Sequence, residues 1–455
     1  MFKRAFLEQG GSPISKFLIH TLERFASTDK EKNYKEKLKI LIKEFVYKDY
    51  FFFTKINLKN TNVKSSNIKK LHKSEILVPF FPYRLDYELL IYPIVNDLLK
   101  SDLRITLVIP RKALSSPNLK SLTGNLQIVI YEDLIADFQV YKEASILLKG
   151  RLKHIANRYK EKGHNSLLKS IIVNYAFDYV VAEKLIKKVS PKIVYGIHFV
   201  LNPGWLEVFN KYNIKVHLIQ HGFFNGDYHD FIDSDLVYLW GEYHQKRLNK
   251  MDPSIKSLVT GNPKLFIIKQ MYKIEELKNN KKLYILFVSS GHTFNNKKLY
   301  NITLNAIKVI KQLNDPNLIL RYKLHPSERI NDYKVWLEKS ILTRDEIVDT
   351  NSVYEYLFQA DIVIGAISTV LNEAAYFEKV VIRLYDNELM DNIDDGIIKV
   401  NNHEKLNEII FRIKNEKCYK KKLIDAQKNK NDAFFYDDTN VIKIISQSLK
   451  DNLNN

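Results

Sequence analysis

The stretch from Asp361 to Glu378 decides the fold class of this chain. It begins Asp361-Ile362-Val363-Ile364-Gly365-Ala366-Ile367-Ser368-Thr369 and continues with mostly apolar residues. A short apolar run that ends in glycine predicts a buried strand. Ser368-Thr369 then stand where an N-cap would begin a helix. Strand, short loop and helix in this order are the repeating unit of a parallel α/β sheet.

The same unit recurs in two parts of the sequence. Apolar runs typical of strands occur in the earlier part at Ile76–Phe81, Ile105–Ile109, Leu126–Tyr131, Lys192–Gly196, Val216–Gln220 and Leu236–Gly241. In the later part they occur at Leu283–Val288, Asn317–Leu324, Asp361–Gly365 and Val380–Leu384. Between them lie segments of helical spacing, including one long stretch from about Ala144 to Val189. Continuous apolar strands separated by helices indicate parallel sheets buried on both faces. We therefore expect an α/β protein of two facing, doubly wound, Rossmann-like domains.

The expected domain boundaries follow changes in composition. Residues 1–72 are rich in lysine and predict a helical N-terminal extension, and residues 73–268 form the first α/β domain. A polar, lysine-rich linker precedes the second α/β domain at 283–415. Residues 416–455 are expected to form a C-terminal helical segment.

The composition limits the class of protein. The 455 residues include 45% hydrophobic and 27% charged residues, which is ordinary for a globular protein and argues against wholesale disorder. Cys418 is the single cysteine, so it forms neither an intramolecular disulfide nor a cysteine-rich metal site, and a reducing cytoplasm is expected. We expect neither export nor a membrane span. The first residues lack the apolar stretch of a signal peptide, and no apolar run reaches the roughly 18 residues that a spanning helix needs.

The charge balance favours an anionic partner. Lysine and arginine number 71 against 52 acidic residues, which gives a formal charge of +19. Nucleic acid is not expected, because the sequence contains no zinc finger, basic zipper region or RNP-type aromatic motif. We expect peripheral attachment to the inner face of the cytoplasmic membrane, where anionic lipids attract basic residues.

Several common signatures of cofactor and catalytic sites are absent. The sequence contains no Gly-x-x-x-x-Gly-Lys-Ser/Thr phosphate loop, no Gly-x-Gly-x-x-Gly fingerprint and no Gly-x-Ser-x-Gly elbow. Histidine pairs at zinc spacing on a helix are missing too. We therefore expect no cofactor and no metal.

The end of the strand at Gly365 is a candidate phosphate site, because ligands of open parallel sheets bind beyond the carboxyl ends of the strands. The free N–H groups of a helix start, together with the hydroxyls of Ser368 and Thr369, suit a phosphate. Glu373 lies one turn further on, where its carboxylate could accept ribose hydroxyls. The alternative is an ordinary helix cap followed by an exposed glutamate.

Two other segments follow predicted strands of the same domain. His325-Pro326 comes first: the proline fixes the backbone after the histidine, whose imidazole could donate to a phosphate or carboxylate on a leaving group. A turn histidine without a ligand is the alternative. Ser289-Ser290-Gly291 offers small residues for the close approach of an anion, although a plain serine-glycine turn explains it equally.

The general base is expected in the first domain. His221, in Gln220-His221-Gly222, follows a predicted strand, and histidine titrates near neutral pH. Asp227, His229 and Asp230 follow within ten residues and are rival bases. For these three residues the alternative is a solvated loop without a catalytic role.

The order of these segments resembles that in bacterial glycosyltransferases of the GT-B fold. The likeness is to capsule sialyltransferases and polysialyltransferases, and to the polyol-phosphate polymerases of teichoic acid synthesis. Those families carry a His-Pro motif and a later Ser-Ser/Thr motif, matched here by His325-Pro326 and Ser368-Thr369. Trp240-Gly241 and Thr260-Gly261-Asn262-Pro263 are typical of the end of the first half. The Asp/Glu-Asp/Glu-Gly motif of the sialyltransferases is missing from that half, and Asp394-Asp395-Gly396 has the letters but follows the Ser-Thr motif.

The resemblance implies a metal-independent glycosyltransferase of capsule or lipopolysaccharide synthesis. A nucleotide-activated sugar, for example one linked to CMP, would bind the second domain at the segments beginning at Ser289, His325 and Ser368, with Glu373 on the ribose. An acceptor glycan or lipid-linked glycan would bind the first domain, where His221 or Asp227 would deprotonate its hydroxyl. The alternatives are a polyol-phosphate transferase, a nucleotide-sugar epimerase of similar architecture, and a non-catalytic basic protein that binds polysaccharide or membrane.

Overall fold

Two parallel sheets form the framework of the molecule. The structure is a computed structural model, and it describes residues 71–80, 87–149, 167–197, 203–222, 234–272, 282–291, 296–326, 328–350, 352–386, 395–437 and 439–454. The expected N-terminal extension lies outside these residues, apart from its last two positions, and so do Asp227, His229 and Asp230. The predicted α/β class with two Rossmann-like domains is confirmed.

The first sheet has seven strands in the order β3-β2-β1-β4-β5-β6-β7. All neighbouring strands are parallel. The strands are β1 (Ile76–Pro79), β2 (Ile105–Ile109), β3 (Leu126–Ile130), β4 (Ile193–Gly196), β5 (Lys215–Ile219), β6 (Leu236–Leu239) and β7 (Ser257–Val259). The accompanying helices are α1 (Glu88–Leu99), α2 (Pro117–Lys120), α3 (Tyr131–Ile135), α4 (Phe138–Lys149), α5 (Leu167–Val189), α6 (Pro203–Lys211), α7 (Glu242–Met251) and α8 (Pro263–Met271).

The second sheet has six strands in the order β10-β9-β8-β11-β12-β13, again with parallel neighbours. The strands are β8 (Leu283–Val288), β9 (Leu318–Lys323), β10 (Ile347–Val348), β11 (Ile362–Gly365), β12 (Val380–Leu384) and β13 (Ile398–Val400). The helices are α9 (Lys297–Gln312), α10 (Lys334–Glu338), α11 (Tyr354–Gln359), α12 (Thr369–Tyr376), α13 (His403–Asn415), α14 (Lys417–Asn431) and α15 (Val441–Asn454). Short 3-10 turns lie at Arg111–Ser115, Ile330–Tyr333 and Arg344–Glu346.

Apolar side chains fill both faces of each sheet, which is why the strand sequences are continuous rather than alternating in polarity. One of these cores crosses between the two domains. In it Trp240 and Leu265 of the first domain pack with Val363 and Leu371 of the second. The domains therefore share buried apolar surface as well as the covalent chain.

The carboxyl edges of the two sheets lie next to each other. Lys264, in the first turn of α8, forms an ion pair with Glu373 of α12. Each of these helices follows a strand of its sheet, so each begins at the carboxyl edge of that sheet. This contact between the first turn of α8 and the second turn of α12 brings the two edges close together, which is the arrangement needed for a cleft between the domains.

The C-terminal part of the chain returns to the first domain. Helix α14 packs on the second domain, whereas Val441 and Ile445 of α15 lie in the core beside α1. The connecting residues 433–436 run across the first domain, where the Tyr436 N–H donates to the carbonyl oxygen of Trp240 at 2.7 Å. A Cβ atom on Gly241 would lie 2.5 Å from the Phe434 carbonyl oxygen. The backbone of Trp240-Gly241 therefore packs directly against residues 433–436.

The long helix predicted from about Ala144 to Val189 corresponds to parts of α4 and α5, whose bounds leave 150–166 outside the described residues. None of the helices in the described ranges is both long and apolar enough to cross a membrane.

Candidate functional site

Three predicted segments meet at the carboxyl edge of the second sheet. Strand β8 lies between β9 and β11, and Val288 is in register with Lys323 on one side and Gly365 on the other. The residues that follow these three positions therefore emerge side by side. Neighbouring strands are about 4.8 Å apart, so the three strand ends span roughly 10 Å. This places the segments that begin at Ser289, Leu324 and Ala366 around one point.

That point is where the strand order reverses. From β8 the chain continues to β9 on one side, whereas β11 and β12 lie on the other side. Open α/β sheets bind ligands in the crevice at such a reversal, because the loops diverge there and leave room between them. The segments around β8, β9 and β11 flank this crevice.

The imidazole of His325 packs directly on Gly291. A Cβ atom placed on Gly291 would lie 2.6 Å from Nδ1 of His325, and the φ angle of Gly291 is +75°. Any other residue would collide with the ring and would also adopt an unfavourable backbone conformation. His325 remains partly exposed and Pro326 is exposed. The His-Pro and Ser-Ser-Gly segments therefore form one contact surface.

Glu328 holds this surface together. Its Oε1 atom accepts from the Ser289 hydroxyl at 2.8 Å, and its Oε2 atom accepts from the His325 N–H at 3.0 Å and the Tyr333 hydroxyl at 2.9 Å. Burial raises the pKa of its carboxyl group, and these hydrogen bonds oppose the rise. Sequence reasoning did not select Glu328. An acidic residue three positions after a turn histidine was the available signal, since such a carboxylate can reach back to the backbone N–H of the turn.

The two serines and Lys323 are more enclosed than the sequence indicated. Ser289 and Ser290 are 5% and 8% exposed. Burial lowers the pKa of Lys323, and its ammonium group donates to the carbonyl oxygen of Leu324 at 2.7 Å. Lys323 therefore supports the backbone that leads to His325.

Ser368 and Thr369 lie where the sequence predicts, at the start of α12. The Ser368 hydroxyl accepts from the Val370 N–H at 3.3 Å and so caps the helix. Both residues are partly exposed, and the neighbouring Ile367 is 43% exposed. The helix start consequently offers polar groups and one apolar side chain to the crevice.

Glu373 is not an exposed residue of α12, contrary to the simpler of its two interpretations. Its side chain is 2% exposed, and its Oε1 atom lies 2.5 Å from Nζ of Lys264. The Tyr354 hydroxyl donates to Oε2 at 2.8 Å. A contact between Glu373 and ribose would require breaking the ion pair with Lys264 and the hydrogen bond from Tyr354.

The Asp394-Asp395-Gly396 sequence has a different setting. Asp394 lies outside the described residues, and Asp395 is fully buried. Its Oδ2 atom lies 2.7 Å from Nη2 of Arg383 and accepts from the Asn372 amide at 3.0 Å. The described carboxylate therefore joins β12 to α12.

His221 lies at the carboxyl edge of the first sheet. It follows β5, and its ring meets the ring of Tyr87 edge to face at 5.5 Å between centroids. The Gln220 side chain accepts from the Trp240 N–H at 2.9 Å and donates to the Gly222 carbonyl at 2.8 Å. The segment around His221 is thereby fixed to β6. Its rival Asp227 lies outside the described residues.

Within the described ranges, no group of three or more histidine, cysteine, aspartate or glutamate side chains is arranged to hold a metal ion.

Comparison with known proteins identifies the fold. No family model and no curated protein matches the sequence. Among solved structures, a putative UDP-N-acetylglucosamine 2-epimerase from Listeria monocytogenes matches with a TM-score of 0.56 at 12% identity, covering 84% of this chain and 96% of that one. The UDP-GlcNAc 2-epimerase of Methanocaldococcus jannaschii, solved with UDP-GlcNAc and UDP, matches with a TM-score of 0.53 at 17% identity, covering 83% and 99%. The wall teichoic acid polymerase TagF matches with a TM-score of 0.48 at 13% identity, covering 86% of this chain and 91% of that one. The two parallel sheets and the likeness to the two epimerases show that the chain has the GT-B-type fold of two Rossmann-like domains.

Proposed function

We propose that this protein is a glycosyltransferase that moves a sugar from a nucleotide-activated donor to a glycan or lipid-linked glycan of the bacterial surface. One observation carries the proposal: the segments that contain Gly291, His325 and Ser368 follow three neighbouring strands at the strand-order reversal of the second sheet, and the His325 imidazole packs on Gly291. The M. jannaschii epimerase, of similar fold, was solved with UDP-GlcNAc and UDP, which supports a nucleotide-sugar ligand here.

In this proposal the second domain binds the nucleotide phosphates. The hydroxyls of Ser368 and Thr369 and the N–H groups at the start of α12 face the phosphate, and His325 donates to the oxygen that gains charge as the sugar leaves. The bond between the anomeric carbon and the phosphate oxygen breaks, and a bond to the acceptor oxygen forms. The nucleotide departs with the bonding electron pair.

The first domain supplies the acceptor side. His221 takes the proton of the acceptor hydroxyl, because it follows β5 at the edge that lies next to the second domain. Asp227 is the competing base. The formal charge of +19 supports attachment to an anionic membrane, where a lipid-linked acceptor would be found.

A nucleotide-sugar epimerase is the second candidate, favoured by the named activity of the structural neighbours. A panel of UDP- and CMP-sugars and CDP-polyols, incubated with and without acceptor glycans, separates the candidates. A transferase releases nucleotide only with acceptor, an epimerase yields a new sugar isomer without any acceptor, and a polyol-phosphate transferase uses CDP-polyols. Absence of binding and turnover with every donor would contradict the proposal.

The site itself is tested with His325→Ala, for which we expect about 10- to 1,000-fold slower transfer, the range for losing one charge-stabilising donor. His403→Ala is the matched control, since His403 is an exposed histidine at the start of α13, which follows the edge strand β13, three strands along the sheet from β8. Equal rates for both variants would show that His325 is only a turn residue.

A further inference from the structure

Glu328 bonds to two of the segments that flank the crevice. Through Oε1 it accepts from Ser289, which follows β8, and through Oε2 it accepts from the N–H of His325, which follows β9. The N–H of Glu328 itself donates to the His325 carbonyl oxygen at 2.8 Å. The side chain of Glu328 therefore joins the two strand ends, and its backbone N–H closes the turn that begins at His325.

Within the part of the chain that the structure describes, three groups donate hydrogen bonds to the Glu328 carboxylate: the hydroxyls of Ser289 and Tyr333 and the backbone N–H of His325. A carboxylate matches this set because it offers about four acceptor positions. Tyr333 is fully buried against Tyr322 and Trp336, with ring centroids 5.3 and 5.4 Å away. The carboxylate is thus anchored on a rigid aromatic cluster.

We propose that Glu328 is a positioning residue of the nucleotide site, which fixes the His-Pro turn against Ser289 and Gly291 so that the His325 imidazole faces the ligand phosphate. This inference rests on the proposed function. The close packing of His325 on Gly291 leaves the turn little freedom as long as Glu328 holds it. Without Glu328, a displacement of about 1 Å would move the imidazole off the phosphate, which can reduce a rate about 100-fold.

The variants Glu328→Gln and Glu328→Ala distinguish a positioning role of Glu328 from an effect of its negative charge. Glutamine keeps one oxygen for the His325 N–H and the Tyr333 hydroxyl, and its amide nitrogen donates to the Ser289 hydroxyl, which rotates to accept. It therefore removes the charge and keeps the geometry. Alanine removes both. Glu338→Ala is the control, because Glu338 is an exposed glutamate on the nearby helix α10.

The first measurement is made without any ligand. NMR spectra of histidine-labelled protein report the Cε1–H signals of the 12 histidines, and the His325→Asn variant identifies the signal of His325. We expect Glu328→Ala to shift or broaden that signal. Glu328→Gln and Glu338→Ala should leave it in place.

The second measurement is calorimetric binding of UDP and CDP. We expect affinity to fall about 10- to 100-fold in Glu328→Ala, the range for losing one hydrogen bond to a charged phosphate, and to stay within about threefold of the wild-type value in Glu328→Gln. An unchanged His325 signal in folded Glu328→Ala would overturn the inference. So would an equal loss of affinity in Glu328→Gln and Glu328→Ala, since charge rather than position would then be the cause.

The inference can still be tested if the wild-type protein binds no nucleotide or if Glu328→Ala does not fold. If wild-type protein binds no nucleotide, the proposed function fails, while the ligand-free His325 signal still decides whether Glu328 positions the turn. If Glu328→Ala does not fold, Tyr333→Phe removes one donor and keeps the aromatic packing. A smaller shift of the His325 signal in Tyr333→Phe supports the inference, and an unchanged signal overturns it.

Discussion

The buried ion pair between the domains gives the sharpest test of how the molecule is held together. Lys264 and Glu373 have side chains that are 9% and 2% exposed, with 2.5 Å between Nζ and Oε1. Lys264→Met removes the ammonium group and leaves the carboxylate of Glu373 buried beside the Tyr354 hydroxyl. Removing one partner of a buried pair costs about 3 to 5 kcal/mol, since the remaining charge loses its compensation. We expect a loss of that size in the free energy of unfolding, measured by urea denaturation.

The double variant Lys264→Met/Glu373→Gln should regain most of the loss, because a neutral amide still accepts from Tyr354 and leaves no charge buried. Lys269→Met is the matched control on the same helix. Its ion pair with Asp437 has a similar length of 2.6 Å, but the side chains are 47% and 51% exposed, so we expect a change of only about 0 to 1 kcal/mol. The reasoning is refuted if Lys264→Met lies within about 0.5 kcal/mol of the wild type, or if the double variant is as unstable as the single one.

Three further predictions concern pH, a glycine and the C-terminal helix. Burial lowers the pKa of His217 to about 4 and that of His244 to about 3, so the unfolded chain binds more protons than the folded one between about pH 6.5 and pH 4. The free energy of unfolding should therefore fall as the pH falls through this window, by up to about 1.4 kcal/mol per pH unit for each histidine. His217→Gln should reduce this slope. Equal slopes in His217→Gln and the wild type would contradict a lowered pKa of His217. Gly291→Ala should lower stability by at least about 1 kcal/mol and weaken nucleotide binding, because the new Cβ collides with His325 at a positive φ. In Gly222→Ala the Cβ meets no atom of the described residues within 4 Å, so thermal unfolding should be unchanged. Similar behaviour of the two variants would argue against the contact between Gly291 and His325. Leu449→Ala should lower the free energy of unfolding in urea by about 2 to 5 kcal/mol, because Leu449 is fully buried in the core beside α1. Lys443 is exposed on the same helix, so Lys443→Ala should lower it by less than about 0.5 kcal/mol. A Leu449→Ala variant as stable as Lys443→Ala would show that α15 is dispensable.

The sequence predicts the central strands well and misses three of the four edge strands. Continuous apolar runs identify β8 and β12 to the residue, because strands with neighbours on both sides and helices on both faces need apolar residues throughout. The strands β7, β10 and β13 were not predicted. Each lies at an edge of its sheet and has only two or three residues, too few for a periodic signal.

For the candidate site, too, the sequence predicts some features and not others. The convergence of Ser289, His325 and Ser368 follows from a general rule about strand ends, so it can be read from the sequence. The partner of Glu373 cannot, because Lys264 lies 109 residues earlier and nothing in the spacing connects them. Which charges meet across two domains is set by how the domains pack, and that depends on the whole surface rather than on a local pattern.

The return of the chain to the first domain has a consequence for biosynthesis. The core beside α1 includes Val441, Ile445 and Leu449, which the ribosome adds more than 300 residues after α1. At a typical rate of about 5 to 20 residues per second, the apolar face of α1 therefore waits tens of seconds for its last covering helix. During that interval the nascent first domain exposes a surface that chaperones can bind, and the second domain can complete its own sheet first. Translation order thus differs from the order in which the two domains can finish folding.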